Sequence, residues 1–232
     1  MQSRKGLDMK KAIFWDSDGT LLYGNESFKS SLVRAFEEFG YALEDEEART
    51  FMRRVCSWYV PEKDHSQKSG EEWWKDLLEE ISIFCEELGV EQADITPVCN
   101  SFREKVITFE YETYPDAKSV LHYFKEKGYE NYIISNNFPE LSQVFVRLGL
   151  DTEISGYFLS ASVGYEKPRK EIFEYALLNA GNPEIRYMIG DNPVTDYQGG
   201  LEAGMIPVLV HNMQAGKTCC EQLTDLFNII TE

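Results

Sequence analysis

Asp16 and Asp18 stand two residues apart in the stretch Asp16-Ser17-Asp18-Gly19-Thr20, directly after the apolar run Lys11-Ala12-Ile13-Phe14-Trp15. That run is too short for a helix and reads as a buried strand. Two carboxylates at a strand end can both turn toward one point, because the strand breaks between them. One can attack phosphorus and carry an aspartyl-phosphate. The other can act as general acid and then as general base. Clustered carboxylates repel one another unless a cation sits among them. An all-oxygen cluster suits Mg2+, which keeps several waters and binds few carboxylates together with a substrate phosphate. Gly19 allows the tight backbone turn that brings amides near a phosphate.

The other groups this chemistry needs follow other predicted strands. Asn131-Tyr132-Ile133-Ile134-Ser135 reads as a strand that delivers Ser135, Asn136 and Asn137. Tyr157 to Ala161 reads as extended, and Lys167 follows across a short loop in Gly164-Tyr165-Glu166-Lys167-Pro168. Arg186 to Ile189 leads to Gly190, Asp191, Asn192 and, on the next turn, Asp196. Ile206 to Val210 is a further strand. Helical periodicity fills the intervals, over Ala117 to Lys127, Leu141 to Leu148, Lys170 to Ala180 and Asp196 to Ala203. A final amphipathic helix is expected over Ala215 to Glu232, packed on the sheet edge. Alternating strands and helices imply a parallel sheet with helices on both faces. Ligands of such sheets bind beyond the carboxyl ends of the strands. Carboxylates, a hydroxyl, amides and a lysine therefore meet at one edge. The last three would neutralise charge spread over phosphoryl oxygens.

A helical stretch separates the first strand from the rest. Ser27 to Phe39 has helical spacing at Phe28, Leu32, Ala35, Phe36 and Phe39, with Gly40 as a stop. From about Asp45 to Tyr111 the chain is strongly charged and helical, with a polar loop over Glu62 to Gly70. Asp76 to Leu88 aligns Leu77, Ile81, Phe84, Cys85 and Leu88 on one face. The expected fold class is α/β. It has a Rossmann-like parallel core of five main strands, formed by residues 1–24 and 112–232, and an inserted all-helical domain over residues 25–111.

The stretch Asp16-Ser17-Asp18-Gly19-Thr20, then Ser135, Lys167-Pro168 and Gly190-Asp191-Asn192 with Asp196, resembles the four motifs of the haloacid dehalogenase superfamily. Order and spacing match across essentially the whole chain, and the helical stretch resembles that family's cap of the type inserted after the first strand. The resemblance implies a magnesium-dependent phosphatase. It makes Asp16 the nucleophile and Asp18 the acid/base, which also lends its backbone carbonyl to Mg2+. Asp16 and Asp191 would supply carboxylate ligands. Ser135 would hydrogen-bond the phosphoryl group, with the Asn136 amide nearby; Thr20 would brace the first loop, and Gly19, Thr20 and Asn136 would bind substrate. Lys167 would hold nucleophile and phosphate together. Asp196 would bind the metal through water or orient Lys167. Halide-removing members resemble this pattern but lack the second aspartate, so Asp18 points to phosphorus chemistry. Ser17 stands where members often have a hydrophobic residue, and its side chain is expected to point away from the reacting centre.

The 232 residues carry a formal net charge of −17. Such a chain is a poor partner for nucleic acid or anionic membrane. It also repels a phosphorylated substrate at long range, so any phosphate site must work through local charge. The N-terminal stretch lacks the apolar run of a signal peptide. Five cysteines, Cys56, Cys85, Cys99, Cys219 and Cys220, include no CxxC pair and fit a reducing, cytoplasmic setting. A monomer or weak homodimer acting on a small phosphorylated molecule is expected. In the helical stretch, Trp58, Tyr59, Trp73 and Trp74 either pack its core or touch substrate, and Arg53, Arg54 and Lys63 either face solvent or meet a second anionic group. His65, His122 and His211 match no ligand spacing. The same motifs could serve a phosphomutase, or a binding protein on a retired scaffold.

Overall fold

The computed structural model describes residues 9–24, 26–56 and 68–231. Trp58, Tyr59, Lys63 and His65 lie outside the described residues.

The strands are β1 (Lys11–Trp15), β2 (Tyr129–Ser135), β3 (Gly156–Leu159), β4 (Ile185–Gly190), β5 (Ile206–Val210) and β6 (Cys219–Cys220). They form one parallel sheet of six strands in the order β3-β2-β1-β4-β5-β6. β1 is central, which explains its continuous apolar run. Ile13 and Trp15 join the core on one face, and Ala12 and Phe14 join a second core on the other. Alternation with both faces covered leaves no position for a polar side chain. Trp15 pairs with Ile133 of β2 and with Ile189 of β4, so the three strands end within two residues of one another. That register carries Asp16, Ser135 and Gly190 to the same edge.

Among the helices, α5 (Ala117–Glu126) and α6 (Leu141–Arg147) bury Leu121, Phe124 and Phe145 in the core of Ile13 and Trp15. The short α7 (Ser160–Val163) follows β3 directly, so the last two residues expected to be extended are helical. α8 (Lys170–Asn179) covers the opposite face with Ile172, Phe173 and Ala176.

Among the described residues, four helices lie between β1 and α5: α1 (Ser27–Glu38), α2 (Asp45–Val55), α3 (Glu71–Glu87) and α4 (Gln92–Ile107). α1 packs on α2 and α4, and α3 packs on α4. Glu140, just before α6, accepts from Trp74 Nε1 at 2.9 Å and from Arg103 at 3.0 Å, tying α3 and α4 to the sheet-bearing part. Trp73 and Trp74 are both buried, 8% and 1% exposed, and meet edge to face at 5.0 Å. They are core residues of the helical segment.

The C-terminal expectation was wrong in kind. No single helix spans the described residues 215–231. Cys219–Cys220 adds β6 beside β5, the 3-10 turn Leu223–Asp225 follows, and only Leu226–Ile229 (α10) is α-helical. The buried residues Cys220, Leu223, Leu226 and Ile230 fall at intervals of three or four, which imitates one helical face. The two-residue β6 stands beside the five main strands expected.

Candidate active site

The loop after β1 is a tight backbone knot. The Ser17 carbonyl accepts from the N–H groups of Thr20, Leu21 and Leu22, and the Gly19 N–H donates to the Leu22 carbonyl at 2.7 Å. Gly19 has a φ of +80°, which favours glycine. A Cβ there would also lie 2.5 Å from Asp191 Oδ2, so this glycine lets the first and fourth strand ends close on each other.

Asp16 is held from two sides. Its Oδ1 accepts from the Ser17 N–H at 2.8 Å and meets Lys167 Nζ at 2.9 Å. Lys167 Nζ also donates to Asp196 Oδ1 at 2.6 Å. Both side chains of that second pair are 1% exposed, against 13% for Asp16. Asp196 Oδ2 accepts from the Asn192 N–H at 3.0 Å. Burial pulls the Lys167 ammonium down, but the flanking carboxylates of Asp16 and Asp196 outweigh it and hold its pKa above the ordinary lysine value. Lys167 is thus a buried, fixed cation beside Asp16.

Asn136 places that lysine. Its side-chain Oδ1 accepts from the Lys167 N–H at 2.7 Å and its Nδ2 donates to the Lys167 carbonyl at 2.9 Å. The amide clasps the backbone on both sides of one residue.

Asp196 reaches inward because the segment after β4 is a π-helical turn, Pro193–Gln198, which continues as α9 (Gly199–Glu202). Asn192 Oδ1 caps it, accepting from Val194 N and Thr195 N. The helix expected from Asp196 onward therefore starts three residues earlier and with a wider turn. Gly190 makes room, since a Cβ there would lie 2.2 Å from Asp196 Oδ2. Gly190→Ala should cost about 1–3 kcal/mol from this overlap. Urea unfolding checks it, and an unchanged midpoint would remove the packing argument.

Asp16, Asp191 and Asp196 each offer a carboxylate oxygen within 4.8 Å of the others. Burial, and then the Asp16 charge, push the Asp191 carboxyl up to about 6. The Asn212 side chain holds this loop, donating to the Asp191 carbonyl at 2.7 Å.

A family model for haloacid dehalogenase-like hydrolases matches residues 10–204. The chain belongs to the haloacid dehalogenase-like hydrolase family. A glyceraldehyde 3-phosphate phosphatase from Methanothermobacter thermautotrophicus is 26% identical over 211 residues, covering 88% of this chain and 87% of that protein. Among solved structures, the HAD-hydrolase YfnB from Bacillus subtilis, bound to magnesium, superposes with a TM-score of 0.71 at 18% identity, covering 95% of this chain and 98% of YfnB. A 2-haloacid dehalogenase from Pseudomonas syringae gives 0.73 at 18% identity, with the same coverage. These likenesses show the fold.

Against that family background, Asp16, Asp18, Gly19, Ser135, Asn136, Lys167 and Asp191 all line one cavity of about 380 Å³. Its opposite wall comes from the helical segment through Phe28, Lys29, Arg49, Met52, Cys56 and Tyr111. Lys29 and Arg49 were missed by sequence reasoning. They sit in ordinary amphipathic helices and carry no local signal. Both pair with Glu26, at 2.8 Å and 3.0 Å, and these two cations hold the Glu26 carboxyl down at about 2. Arg53 and Arg54 do not line the cavity, and Arg54 pairs with Glu87 at 3.6 Å.

Two further expectations need correction. Thr20 is fully buried and does not line the cavity, and its Oγ1 has no hydrogen-bond partner among the described residues. Its backbone serves instead, since its carbonyl lies 3.2 Å from Nε2 of His211, whose ring stacks on Tyr114 at 3.8 Å. Ser17 does not point away. Its Oγ donates to Asp18 Oδ2 at 2.9 Å and lies 2.7 Å from Ser135 Oγ.

Proposed function

We propose that this hydrolase is a magnesium-dependent phosphatase that cleaves small phosphate monoesters through an aspartyl-phosphate on Asp16. The observation that carries the reading is Asp18. A second carboxylate shares the cavity with Asp16, Ser135 and a buried lysine. The phosphatase among its relatives supports the same chemistry.

In the first step a carboxylate oxygen of Asp16 bonds to phosphorus as the bond to the leaving oxygen breaks. Asp18 gives that oxygen its proton. In the second step Asp18 takes a proton from water, the water oxygen bonds to phosphorus, and the Asp16 ester breaks to release inorganic phosphate. Lys167 and Ser135 hold the phosphoryl oxygens throughout. Residues 25–111 act as a cap whose closure excludes bulk water, over a core of residues 1–24 and 112–232. A cavity of about 380 Å³ suits a small substrate.

The donor set is all oxygen and fits Mg2+. Asp16 and Asp191 would hold it, with the backbone carbonyl of Asp18. Asp196 is already engaged by Lys167 and by the Asn192 N–H, so it orients the lysine. Bound there, the ion offsets charge on the phosphoryl oxygens. The charge of −17 argues against nucleic acid or anionic membrane as partners, and no helix among the described residues is long and apolar enough to cross a membrane. All five cysteines are free, which fits a reducing, cytoplasmic setting.

Hydrolysis of p-nitrophenyl phosphate with Mg2+, and its loss in EDTA, tests the reading; full activity in EDTA would sink it. Phosphate release measured alongside isomer formation on sugar phosphates separates hydrolysis from phosphoryl return. A second readout needs no turnover. The raised pKa of Asp191 means that its contribution to stability is full below the ordinary carboxylate range and is lost as pH rises through about 6. Mg2+ should therefore raise Tm more at pH 8 than at pH 5.

A further inference from the structure

Asn137 is 5% exposed, lines the cavity, and belongs to none of the motifs that define the site. Its Nδ2 donates to Asp18 Oδ2 at 2.6 Å. The orientation of the amide is fixed independently. The Phe138 N–H donates to Asn137 Oδ1 at 3.0 Å, and only the carbonyl oxygen of the side chain can accept. The NH2 group must then face Asp18. The backbone of Asn137 is fixed as well, because its N–H donates to Ser160 Oγ at 3.0 Å and its carbonyl accepts from Ala161 N at 3.2 Å. The donor is therefore carried by the ends of β2 and β3.

Ser17 reaches the same oxygen. Its Oγ donates to Asp18 Oδ2 at 2.9 Å, and the residue is fully buried. Asn137 Nδ2 also approaches Ser17 Oγ at 3.3 Å. A hydroxyl has one hydrogen. With that of Ser17 on Asp18, the Ser135 hydrogen fills the 2.7 Å contact between Ser17 and Ser135 in the absence of substrate, and turns to a phosphoryl oxygen when one binds. Ser17, Asn137 and Ser135 thus form one connected network around a single carboxylate oxygen.

We infer that Ser17 and Asn137 are positioning residues for Asp18: together they anchor its Oδ2 and so fix the carboxyl group that exchanges a proton with the leaving group and then with water. The inference rests on the phosphatase reading and adds residues that reading does not require. Two donors on one oxygen fix the plane of the carboxyl group, and general acid catalysis depends on that geometry before anything else.

The role has a signature that a merely structural role lacks. A weakly basic leaving group departs without a proton, whereas a strongly basic one needs the acid. The test is kcat and KM for a series of substituted phenyl phosphates, from p-nitrophenyl to p-methoxyphenyl, with wild type, Asn137→Ala, Ser17→Ala and Asp16→Asn. Wild type should show a shallow dependence of kcat on leaving-group basicity. Asn137→Ala and Ser17→Ala should steepen it, losing about tenfold or more on the most basic leaving group and less than about threefold on p-nitrophenyl phosphate, with KM little changed. Parallel losses across the series, or no loss in either variant, would overturn the inference. Should Asn137→Ala fail to fold, Ser17→Ala decides alone. Asp16→Asn tests the underlying reading separately: it must be inert on every ester, and activity there would refute the phosphatase mechanism whatever the two positioning variants do.

Discussion

Asp16→Asn is expected to lower kcat by on the order of 10³-fold or more while leaving the fold intact. The amide has nearly the shape of the carboxylate, so Lys167 and the Ser17 N–H can still be met by its oxygen. What disappears is the nucleophile, since a neutral amide does not form the ester to phosphorus. Lys167 keeps Asp196 as its counter-ion at 2.6 Å and stays charged. Asp191 loses the like charge that, after burial, raises its pKa, so that pKa should fall toward the ordinary range. Two measurements check the argument together. Acid-quenched single-turnover reactions should show acid-stable phosphoprotein in wild type and none in the variant. The Tm of the variant without metal should match or exceed that of wild type, because a repulsive charge has gone. A large fall in Tm would mean that Asp16 is structural first, and loss of activity would then carry no mechanistic weight.

The parts of this site that were legible in the sequence are those whose chemistry ends a strand. Asp16, Ser135 and Asp191 could be placed from three apolar runs and the rule that parallel sheets bind ligands at their carboxyl edge. The register that brings Trp15, Ile133 and Ile189 level sets these three residues along one sheet edge. What the sequence hid are contacts between strand ends. Asn136 is a polar residue in a loop until its two-point clasp on the Lys167 backbone is seen. A Ser17 side chain that points away from the carboxylates on either side would require the alternation of a strand. The chain has already turned there, with the Ser17 carbonyl accepting three successive N–H groups, so alternation no longer says where the side chain points. The C-terminal segment failed for a related reason. Spacing of three or four reports burial on one side, and a strand followed by a 3-10 turn can produce it as well as a helix. Lys29 and Arg49 face the cavity only because α1 and α2 pack together across it from the strand-end residues, a tertiary fact that no local pattern records.

Lys167→Met should be the most destabilising of the site variants and also among the least active. The methionine fills much of the space but leaves Asp196 fully buried without its cation. Removing one partner of a buried ion pair costs about 3–5 kcal/mol. For a chain of this length that corresponds to a fall in Tm of roughly 10 °C. The loss should depend on pH, with a sign fixed by burial. Without the lysine, desolvation raises the Asp196 pKa unopposed, and a carboxyl with a raised folded pKa contributes its stability at low pH and loses it as pH rises. The gap to wild type should therefore be smaller at pH 5 than at pH 8. Turnover should fall by on the order of 10²–10³-fold, the usual effect of removing one group that stabilises transition-state charge. Adding Asp196→Asn separates the two roles. The double variant buries no lone charge, and the Asn side-chain oxygen can still accept from the Asn192 N–H as Asp196 Oδ2 does. Thermal unfolding of the four proteins in the cycle should show most of the lost stability restored, whereas the phosphatase assay should show no recovery. Recovery of both would mean that Lys167 serves only to neutralise Asp196. Recovery of stability alone leaves it the charge that faces Asp16 at 2.9 Å and, through Asp16, the phosphoryl group.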